Sequence, residues 1–361
     1  MNDNSSHFKP IILTGDRPTG ALHLGHYVGS IQNRLKFQDE YDTCFYMVAD
    51  VQALTDNADD PQKVRDNVIE VVLDNLAVGV DPTKTHFFIQ SMVPEIAELT
   101  VFFMNLVTVQ QLSHNPTIKT EALQKGYFLQ NKFLTADGGE EKNIGHGIPL
   151  GFLAYPVSQA ADILICKANI VPVGEDQMPV LEQANDIVKK FNATYGREVF
   201  PMIKGIVGST PRLVGTDGSS KASKTLGNTI MLSDSPEEIE RKVMSMYTDP
   251  NRLKKTDEGQ IEGNVVFTYL DIFGTDKKKI EDFKRRYIAG GDDAPGDIEI
   301  KKYLIEELRK LLDPIRARRE EYAKDIPAIE KILREGNAVA RKYAQATMQE
   351  VREVMKINYK F

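Results

Sequence analysis

The sequence contains no tryptophan and only two cysteines among its 361 residues. Cys44 and Cys166 both lie in apolar runs, which suits buried thiols in a reducing compartment better than a disulfide or a metal site. No apolar run is long enough to cross a membrane, and the polar N-terminus lacks the pattern of a signal peptide. We therefore expect a cytoplasmic protein with no membrane partner.

The chain is long enough for two domains with ample cores. Its net charge of −7 is unevenly distributed, because residues 301–361 contain 15 basic and only 10 acidic side chains. A nucleic-acid partner would thus meet a locally basic C-terminal face on an acidic protein. Ordinary solvated helix faces also carry charges of this kind.

The first half alternates strand-like apolar runs with helical segments, which is typical of a parallel sheet with crossover helices. Strands are predicted at 11–15, 44–49, 85–91 and 170–173, and helices at 61–79, 94–109, 156–168 and 178–191. Residues 115–150 interrupt this alternation and are predicted to be an insertion with mobile parts. Residues 233–361 are predicted to be all-α. We therefore expect an α/β domain at 1–232 and a helical domain at 233–361.

Two histidines stand where the first strand gives way to a helix. The strand is followed by Arg17-Pro18-Thr19-Gly20 and then by His23-Leu24-Gly25-His26. A helix N-terminus favours phosphate through its unpaired N–H groups and its dipole. Imidazole N–H groups can donate to phosphate oxygens as charge develops there, and a glycine between them lets a flat base approach the backbone. The alternative is a chance match at a helix start, which the strand–turn–helix context disfavours.

A second candidate site is the glycine- and serine-rich loop at 218–225, which contains Lys221 and Lys224. Lysine is a mobile point charge suited to following a departing pyrophosphate. A loop can also deliver that charge only once substrate is bound. The alternative interpretation is an ordinary solvated basic loop.

Two further polar sites are candidates, one within an apolar helix and one after the fourth predicted strand. Asp162 lies on a helix among apolar residues, where a carboxylate must find a hydrogen-bond donor. A ligand N–H or O–H could supply that donor, and so could an N-cap or an internal salt bridge. Residues 174–177, Gly-Glu-Asp-Gln, follow the fourth strand and could hold ribose, adenine or an ammonium group, or could simply cap the next helix.

Together these residues closely resemble the class I aminoacyl-tRNA synthetases, and within that class the tryptophanyl family. The segment 18–26 resembles the first signature of the class, and 221–228 resembles its KMSKS loop. The segments 160–164 and 170–177 resemble the tryptophan-specific blocks. The likeness covers most of residues 10–230, and the helical tail fits the anticodon-binding domain of the family.

The resemblance implies a Rossmann-like catalytic domain and a tryptophan–tRNA ligase. Such an enzyme activates L-tryptophan with Mg-ATP to tryptophanyl-adenylate and pyrophosphate, and then charges the terminal adenosine of tRNA(Trp). Mg²⁺ would arrive on ATP without a fixed protein metal site, and the enzyme would be a homodimer.

The resemblance also implies roles for individual residues. His23 and His26 would stabilise the α-phosphate transition state, with Lys221 and Lys224 on the leaving pyrophosphate. Asp162 would accept the indole N–H, and the other tryptophan contacts would be Gly15, Gln159 and Gln177. The ATP contacts would be Arg17, Pro18, Thr19, Gly25, His26, Gly174, Glu175, Asp176, Leu213, Lys221, Ala222, Ser223, Lys224 and Thr225.

Some positions depart from the family pattern. Ala222 replaces the usual methionine of the second signature, and Thr225 replaces the usual serine. Leu13, Gln52 and Gln159 also differ from the side chains of well-known members. The resemblance therefore defines the other residues of the pocket lining less well than it defines Asp162. The alternatives are a tyrosine–tRNA ligase, a non-catalytic protein that binds tryptophan or RNA, and a small nucleotidylyltransferase.

Overall fold

Five parallel strands form one sheet. The computed structural model describes residues 8–127, 147–208, 213–218, 222, 224 and 226–360. The strand order within these residues is β3-β2-β1-β4-β5, and the strands are β1 (Ile12–Asp16), β2 (Cys44–Val48), β3 (Thr85–Ile89), β4 (Ile170–Val173) and β5 (Lys204–Val207). The predicted α/β fold with a parallel sheet is confirmed.

β1 is the central strand of the sheet. β2 and β3 follow on one side of it, and β4 and β5 lie on the other. On one side β1 pairs with β2 along its whole length, from Ile12 opposite Cys44 to Asp16 opposite Val48. On the other side its pairing with β4 is limited to Ile12 opposite Ile170. The carboxyl ends of β1 and β4 therefore have no shared ladder, and ligands of open α/β sheets bind in such a crevice.

Helices cover both faces of the sheet and make up the C-terminal third of the chain. A π-helical turn at Tyr27–Ile31 joins the first two helices, and 3₁₀ turns occur at Gln90–Met92 and Glu175–Gln177. The α-helices are α1 (Leu24–His26), α2 (Gln32–Glu40), α3 (Asp50–Ala53), α4 (Pro61–Val78), α5 (Glu95–Met104), α6 (Val109–His114), α7 (Pro116–Gln124), α8 (Leu150–Ile165), α9 (Met178–Tyr195), α10 (Pro236–Met244), α11 (Val265–Phe273), α12 (Lys277–Ala289), α13 (Asp297–Ala323) and α14 (Ile326–Val354).

The helix predicted at 61–79 is confirmed together with both of its ends. The Asp60 side chain accepts the Lys63 N–H, Pro61 occupies the first turn, and Gly79 ends the helix with φ of 111°. A left-handed residue at this position is favourable only for glycine.

Several predicted boundaries are wrong. The third strand ends at Ile89 rather than at 91, because the chain turns into a 3₁₀ segment there. The helix predicted at 94–109 ends at Met104, and a separate helix begins at Val109, where Thr108 caps it by accepting the Gln111 N–H. The helix predicted from 156 begins at Leu150 and holds Pro156 in its interior. Burial of the apolar residues before Pro156 offsets the hydrogen bond that its ring removes.

Two elements depart from the predicted pattern in another way. The short edge strand β5 has no apolar alternation and was not predicted. Helix α7 lies inside the predicted insertion at 115–150, of which residues 128–146 are outside the described part of the chain.

The helices after residue 233 share the core of the sheet. Helix α13 packs along α4, and α14 packs along β3. The approach of α14 is so close that a Cβ on Gly336 would lie 1.8 Å from the Phe87 carbonyl oxygen. The domain boundary near residue 232 stays a prediction. Among the described residues, no helix is both long and apolar enough to traverse a lipid bilayer.

Candidate active site

The two histidines of the first signature cap α1 reciprocally. His23 Nδ1 accepts the Gly25 N–H at 3.0 Å, and His26 Nδ1 accepts the His23 N–H at 3.2 Å. The two ring centroids are 3.9 Å apart. Because each Nδ1 accepts a backbone N–H, the neutral form of each ring carries its proton on Nε2. The pair thus presents two N–H donors suited to phosphate oxygens.

The His23 ring lies directly against the backbone of Gly25, so this position needs a residue without a Cβ. A Cβ at this position would lie 2.7 Å from His23 Cε1 and 2.8 Å from His23 Nδ1. Contacts this short do not occur for real side chains, so any other residue would push the ring away. Gly25 therefore fixes the histidine geometry, a role that sequence reasoning did not assign to it.

The first signature pairs through its backbone with the segment that directly follows the second signature. Leu24 donates its N–H to the Ile230 carbonyl, and Leu232 donates to the Leu22 carbonyl, both at 2.9 Å. His23 pairs with Met231 in an antiparallel bridge between them. The segment that follows the predicted KMSKS-like loop is thereby placed beside the histidine turn.

Lys224 reaches back to the first signature. Its Nζ donates to the Gly20 carbonyl at 2.7 Å. Burial lowers the pKa of the Lys224 ammonium, although the Asp16 and Asp74 carboxylates oppose that shift. Ala222 donates its N–H to the Leu213 carbonyl at 3.3 Å, so Leu213 contacts this segment through its backbone. Lys221, Ser223 and Thr225 lie outside the described residues.

A cavity of about 330 Å³ opens at the carboxyl ends of β1 and β4. It is lined by residues from both strands, from β2 and from α8. Ser30 and Arg34, from the helix that follows the histidine turn, also line it, which places the cavity beside that turn. Six residues of the predicted site line this cavity: Gly15, Arg17, Gln159, Asp162, Gly174 and Gln177.

Asp162 is a buried carboxylate in this lining, with 2% of its surface exposed. Gln90 Nε2 donates to Asp162 Oδ1 at 2.7 Å. Burial raises the pKa of Asp162 to about 7; the Gln90 hydrogen bond lowers it and the Asp50 charge adds to the rise. A carboxylate has acceptor sites beyond this one bond, so Asp162 can accept a hydrogen bond from a ligand in the cavity.

Asp16 is another carboxylate in the lining, and both of its oxygens accept hydrogen bonds from within the protein. Arg34 donates to both carboxylate oxygens of Asp16, at 2.6 and 3.0 Å, and Tyr46 donates its hydroxyl at 3.0 Å. Burial alone would raise the pKa of Asp16, but the Arg34 guanidinium holds it well below its usual range. The pair fixes the end of β1, from which Arg17 continues.

Arg17 lies at the entrance of the cavity and is half exposed. Its guanidinium pairs with Asp56 Oδ2 at 2.6 Å, and Lys125 pairs with the other oxygen of Asp56 at 2.7 Å. Thr19 donates its N–H to the Arg17 carbonyl at 2.8 Å and forms the turn toward the histidines. Two cationic side chains thus converge on one carboxylate at the cavity mouth.

The remaining predicted contacts lie outside the cavity lining. Pro18 and Thr19 belong to the turn after β1, and Glu175 and Asp176 are exposed in the 3₁₀ turn after β4. A Cβ at Gly174 would lie 2.8 Å from Asp176 Oδ1, so a side chain there would displace the exposed Asp176 carboxylate. Within the described residues, no cluster of three or more His, Cys, Asp or Glu side chains could hold a metal ion.

Sequence reasoning missed Gln90, Arg34 and Tyr155. Gln90 follows β3 at the same edge of the sheet as the other strand ends, a position that could have marked it. Arg34 lies on a polar helix and gives no sequence signal of its burial. Tyr155 lies in a buried stretch of α8 and lines the cavity one turn before Gln159.

The chain matches a known family over most of its length. Residues 5–313 match the tRNA synthetases class I (W and Y). The chain belongs to this family. A tryptophan–tRNA ligase of Clostridium longisporum is 52% identical over 354 residues, which cover 97% of this chain and 98% of the relative. A tryptophan–tRNA ligase of Streptococcus agalactiae is 49% identical over 357 residues, covering 97% and 99%.

Solved structures agree with this membership. The tryptophanyl-tRNA synthetase of Campylobacter jejuni, in complex with ADP and tryptophan, superposes with a TM-score of 0.78 at 30% identity. The match covers 96% of this chain and 99% of that one. The resemblance to class I synthetases inferred from the two signatures is therefore confirmed.

The buried charge of Asp162 leads to a prediction about stability. Burial raises its pKa from 3.8 to about 7, so between these pH values the folded protein holds a proton that the unfolded chain releases. Stability therefore falls as pH rises through this window. Asp162→Asn keeps an acceptor for Gln90 and removes the charge. We expect this variant to exceed the wild type in unfolding free energy at pH 8 by on the order of 2 kcal/mol.

Thermal unfolding followed by circular dichroism at pH 5, 6, 7 and 8 measures this effect. The gain of Asp162→Asn over the wild type should shrink steadily toward pH 5. Asp186→Asn, on the exposed surface of α9, serves as a matched control and should show no such trend. If Asp162→Asn and the wild type differ in stability by the same amount at every pH, the burial cost assigned to this carboxylate is contradicted.

Proposed function

We propose that the chain is an ATP-dependent tryptophan–tRNA ligase. The observation that carries the proposal is the buried Asp162 carboxylate in a cavity beside the histidine turn, where it can accept an indole N–H. Indole offers one N–H on an otherwise apolar surface, which matches a single buried acceptor. The tryptophan–tRNA ligases that are about half identical over nearly the whole chain support the same activity.

In the proposed first step the tryptophan carboxylate attacks the α-phosphorus of ATP. The new P–O bond gives tryptophanyl-adenylate, and the bond to the β-phosphate breaks to release pyrophosphate. In the second step a hydroxyl of the terminal adenosine of tRNA(Trp) attacks the adenylate carbonyl carbon and AMP departs. The hydroxyl loses its proton as the ester bond forms, and a phosphate oxygen of the departing AMP would take up that proton.

We propose that His23 and His26 donate from Nε2 to the α-phosphate oxygens as negative charge grows there. Lys224, and with it Lys221, would bind the departing pyrophosphate. The remaining ATP contacts would be those assigned by family resemblance: Arg17, Pro18, Thr19, Gly25, Gly174, Glu175, Asp176, Leu213, Ala222, Ser223 and Thr225. Mg²⁺ would enter bound to the phosphate oxygens of ATP.

The amino-acid end of tryptophan would lie at the other side of the cavity. Gln159 and Gln177 line it and offer amide oxygens to an ammonium group, and Tyr155 adds a hydroxyl. Gly15 also lines the cavity, and it has no room for a side chain because a Cβ would lie 2.6 Å from the Met47 carbonyl oxygen of β2. A tyrosine–tRNA ligase is the second candidate, because a phenol O–H could also donate to Asp162.

We propose that the enzyme acts as a homodimer on tRNA(Trp). Support comes from four exposed apolar side chains on and around α5, a patch that a second copy would cover: Met92, Val101, Met104 and Val109. Val101→Glu should convert the dimer to a monomer in light scattering, whereas Leu253→Glu, at an apolar residue that is 87% exposed elsewhere, should not. A dimer that survives Val101→Glu, or a monomeric wild type, would contradict this assembly.

The activity is tested by ATP–pyrophosphate exchange measured with tryptophan and with tyrosine separately. We expect exchange with tryptophan alone, because the relatives that are about half identical over nearly the whole chain are tryptophan–tRNA ligases. Exchange with tyrosine alone would move the assignment to the second candidate. Exchange with neither amino acid would favour a non-catalytic binding protein.

Two lysine variants test the role of Lys224 in the same assay. Lys224→Ala should slow tryptophan-dependent exchange about 10²–10³-fold at saturating ATP, as expected for a lost transition-state contact. Lys189→Ala, an exposed lysine of α9, should exchange at the wild-type rate. A Lys224→Ala variant with normal turnover would remove Lys224 from the proposed mechanism.

A further inference from the structure

A buried carboxylate on α4 holds the backbone directly before the histidine turn. Asp74 is fully buried, and its Oδ2 accepts the Leu22 N–H at 2.6 Å. Leu22 immediately precedes His23, and its carbonyl accepts from Leu232. The backbone N–H and C=O of Leu22 are therefore both held, the N–H by α4 and the C=O by the segment after the second signature.

The other oxygen of the same carboxylate is held from the C-terminal helical segment. Arg319 on α13 donates from Nε to Asp74 Oδ1 at 2.8 Å, and a second nitrogen of the same guanidinium pairs with Glu70. Burial raises the pKa of Asp74, while the Leu22 N–H and the Arg319 charge lower it. Arg319 thus helps to keep the buried carboxylate ionised and in position.

A charged hydrogen bond of this kind is directional and strong at low exposure. Removing Arg319 would leave Asp74 as a buried carboxylate without its cation, so the carboxylate must move, hydrate or take up a proton. Each of these outcomes weakens the bond to the Leu22 N–H. Because His23 is the next residue, its ring would no longer be fixed relative to His26.

We propose that Arg319 is a positioning residue for the activation step, acting through Asp74 and Leu22 on the histidine turn. The inference rests on the proposed function for its kinetic readout. It also makes α13 a physical connection by which the C-terminal helices, where the tRNA anticodon would bind, influence phosphate activation. Arg319 is not among the residues that line the cavity, so its effect should appear in turnover rather than in tryptophan binding.

The first test compares neighbouring arginines of α13. We expect Arg319→Ala to lower the turnover number of tryptophan-dependent exchange about 3- to 30-fold, the range of energetic couplings through such networks, with KM for tryptophan unchanged. Arg318 donates to the Ala77 carbonyl of the same helix α4 but does not contact Asp74. Arg318→Ala removes a comparable helix–helix contact and should leave turnover unchanged. Equal effects of the two variants would overturn the proposal.

A double-variant cycle separates positioning from general destabilisation. If Arg319 acts through the histidine turn, Arg319→Ala should have no further effect in a His23→Ala background. Effects of the two changes that multiply independently would contradict the inferred connection.

Hydrogen–deuterium exchange supplies a readout that needs no activity. The Leu22 amide should exchange faster in Arg319→Ala and remain protected in Arg318→Ala, with both proteins folded by circular dichroism. Unchanged protection of Leu22 in Arg319→Ala would overturn the proposal even if the wild type proved inactive. An inactive wild type with the expected loss of protection would instead reject the proposed function and leave the positioning contact intact.

Discussion

The structure depends on a short backbone pairing between segments that lie two hundred residues apart. Leu22 and Leu24 exchange hydrogen bonds with Leu232 and Ile230, and this pairing places the second signature against the first. Beside this pairing, Lys224 donates to the Gly20 carbonyl. The backbone pairing brings two distant sequence segments together in one surface, which we propose binds the phosphates of ATP.

Buried charge is used in two different ways around the cavity. Asp16 is satisfied by Arg34 and Tyr46, so it orders the end of β1 and leaves no acceptor that requires a ligand. Asp162 is only partly satisfied, by Gln90, and its raised pKa records the cost of burying it. Functional sites commonly retain such costs, because the group that destabilises the free protein is the one that recognises the ligand.

The sequence predicted the features whose cause is local. Apolar periodicity located β1, β2 and β4, and capping residues located α4, while the two signatures pointed to phosphate chemistry. It could not predict contacts that only the fold creates. Gln90 lies 72 residues from Asp162, and Arg319 lies 245 residues from Asp74. The interior Pro156 was also beyond local rules, because tertiary burial of its neighbours overrides the helix-breaking tendency of proline.

Asp162 is the residue that we propose accepts a hydrogen bond from the indole N–H of tryptophan. The most direct measurement compares the binding of L-tryptophan with that of 3-benzothienyl-L-alanine, in which sulfur replaces the N–H with little change of shape, by isothermal titration. Leaving a buried acceptor unpaired costs about 1–3 kcal/mol, so we expect the analogue to bind about 5- to 150-fold more weakly. In Asp162→Asn, whose side chain can turn its oxygen away, the gap should narrow. Equal affinity of the wild type for both ligands would contradict this role of Asp162.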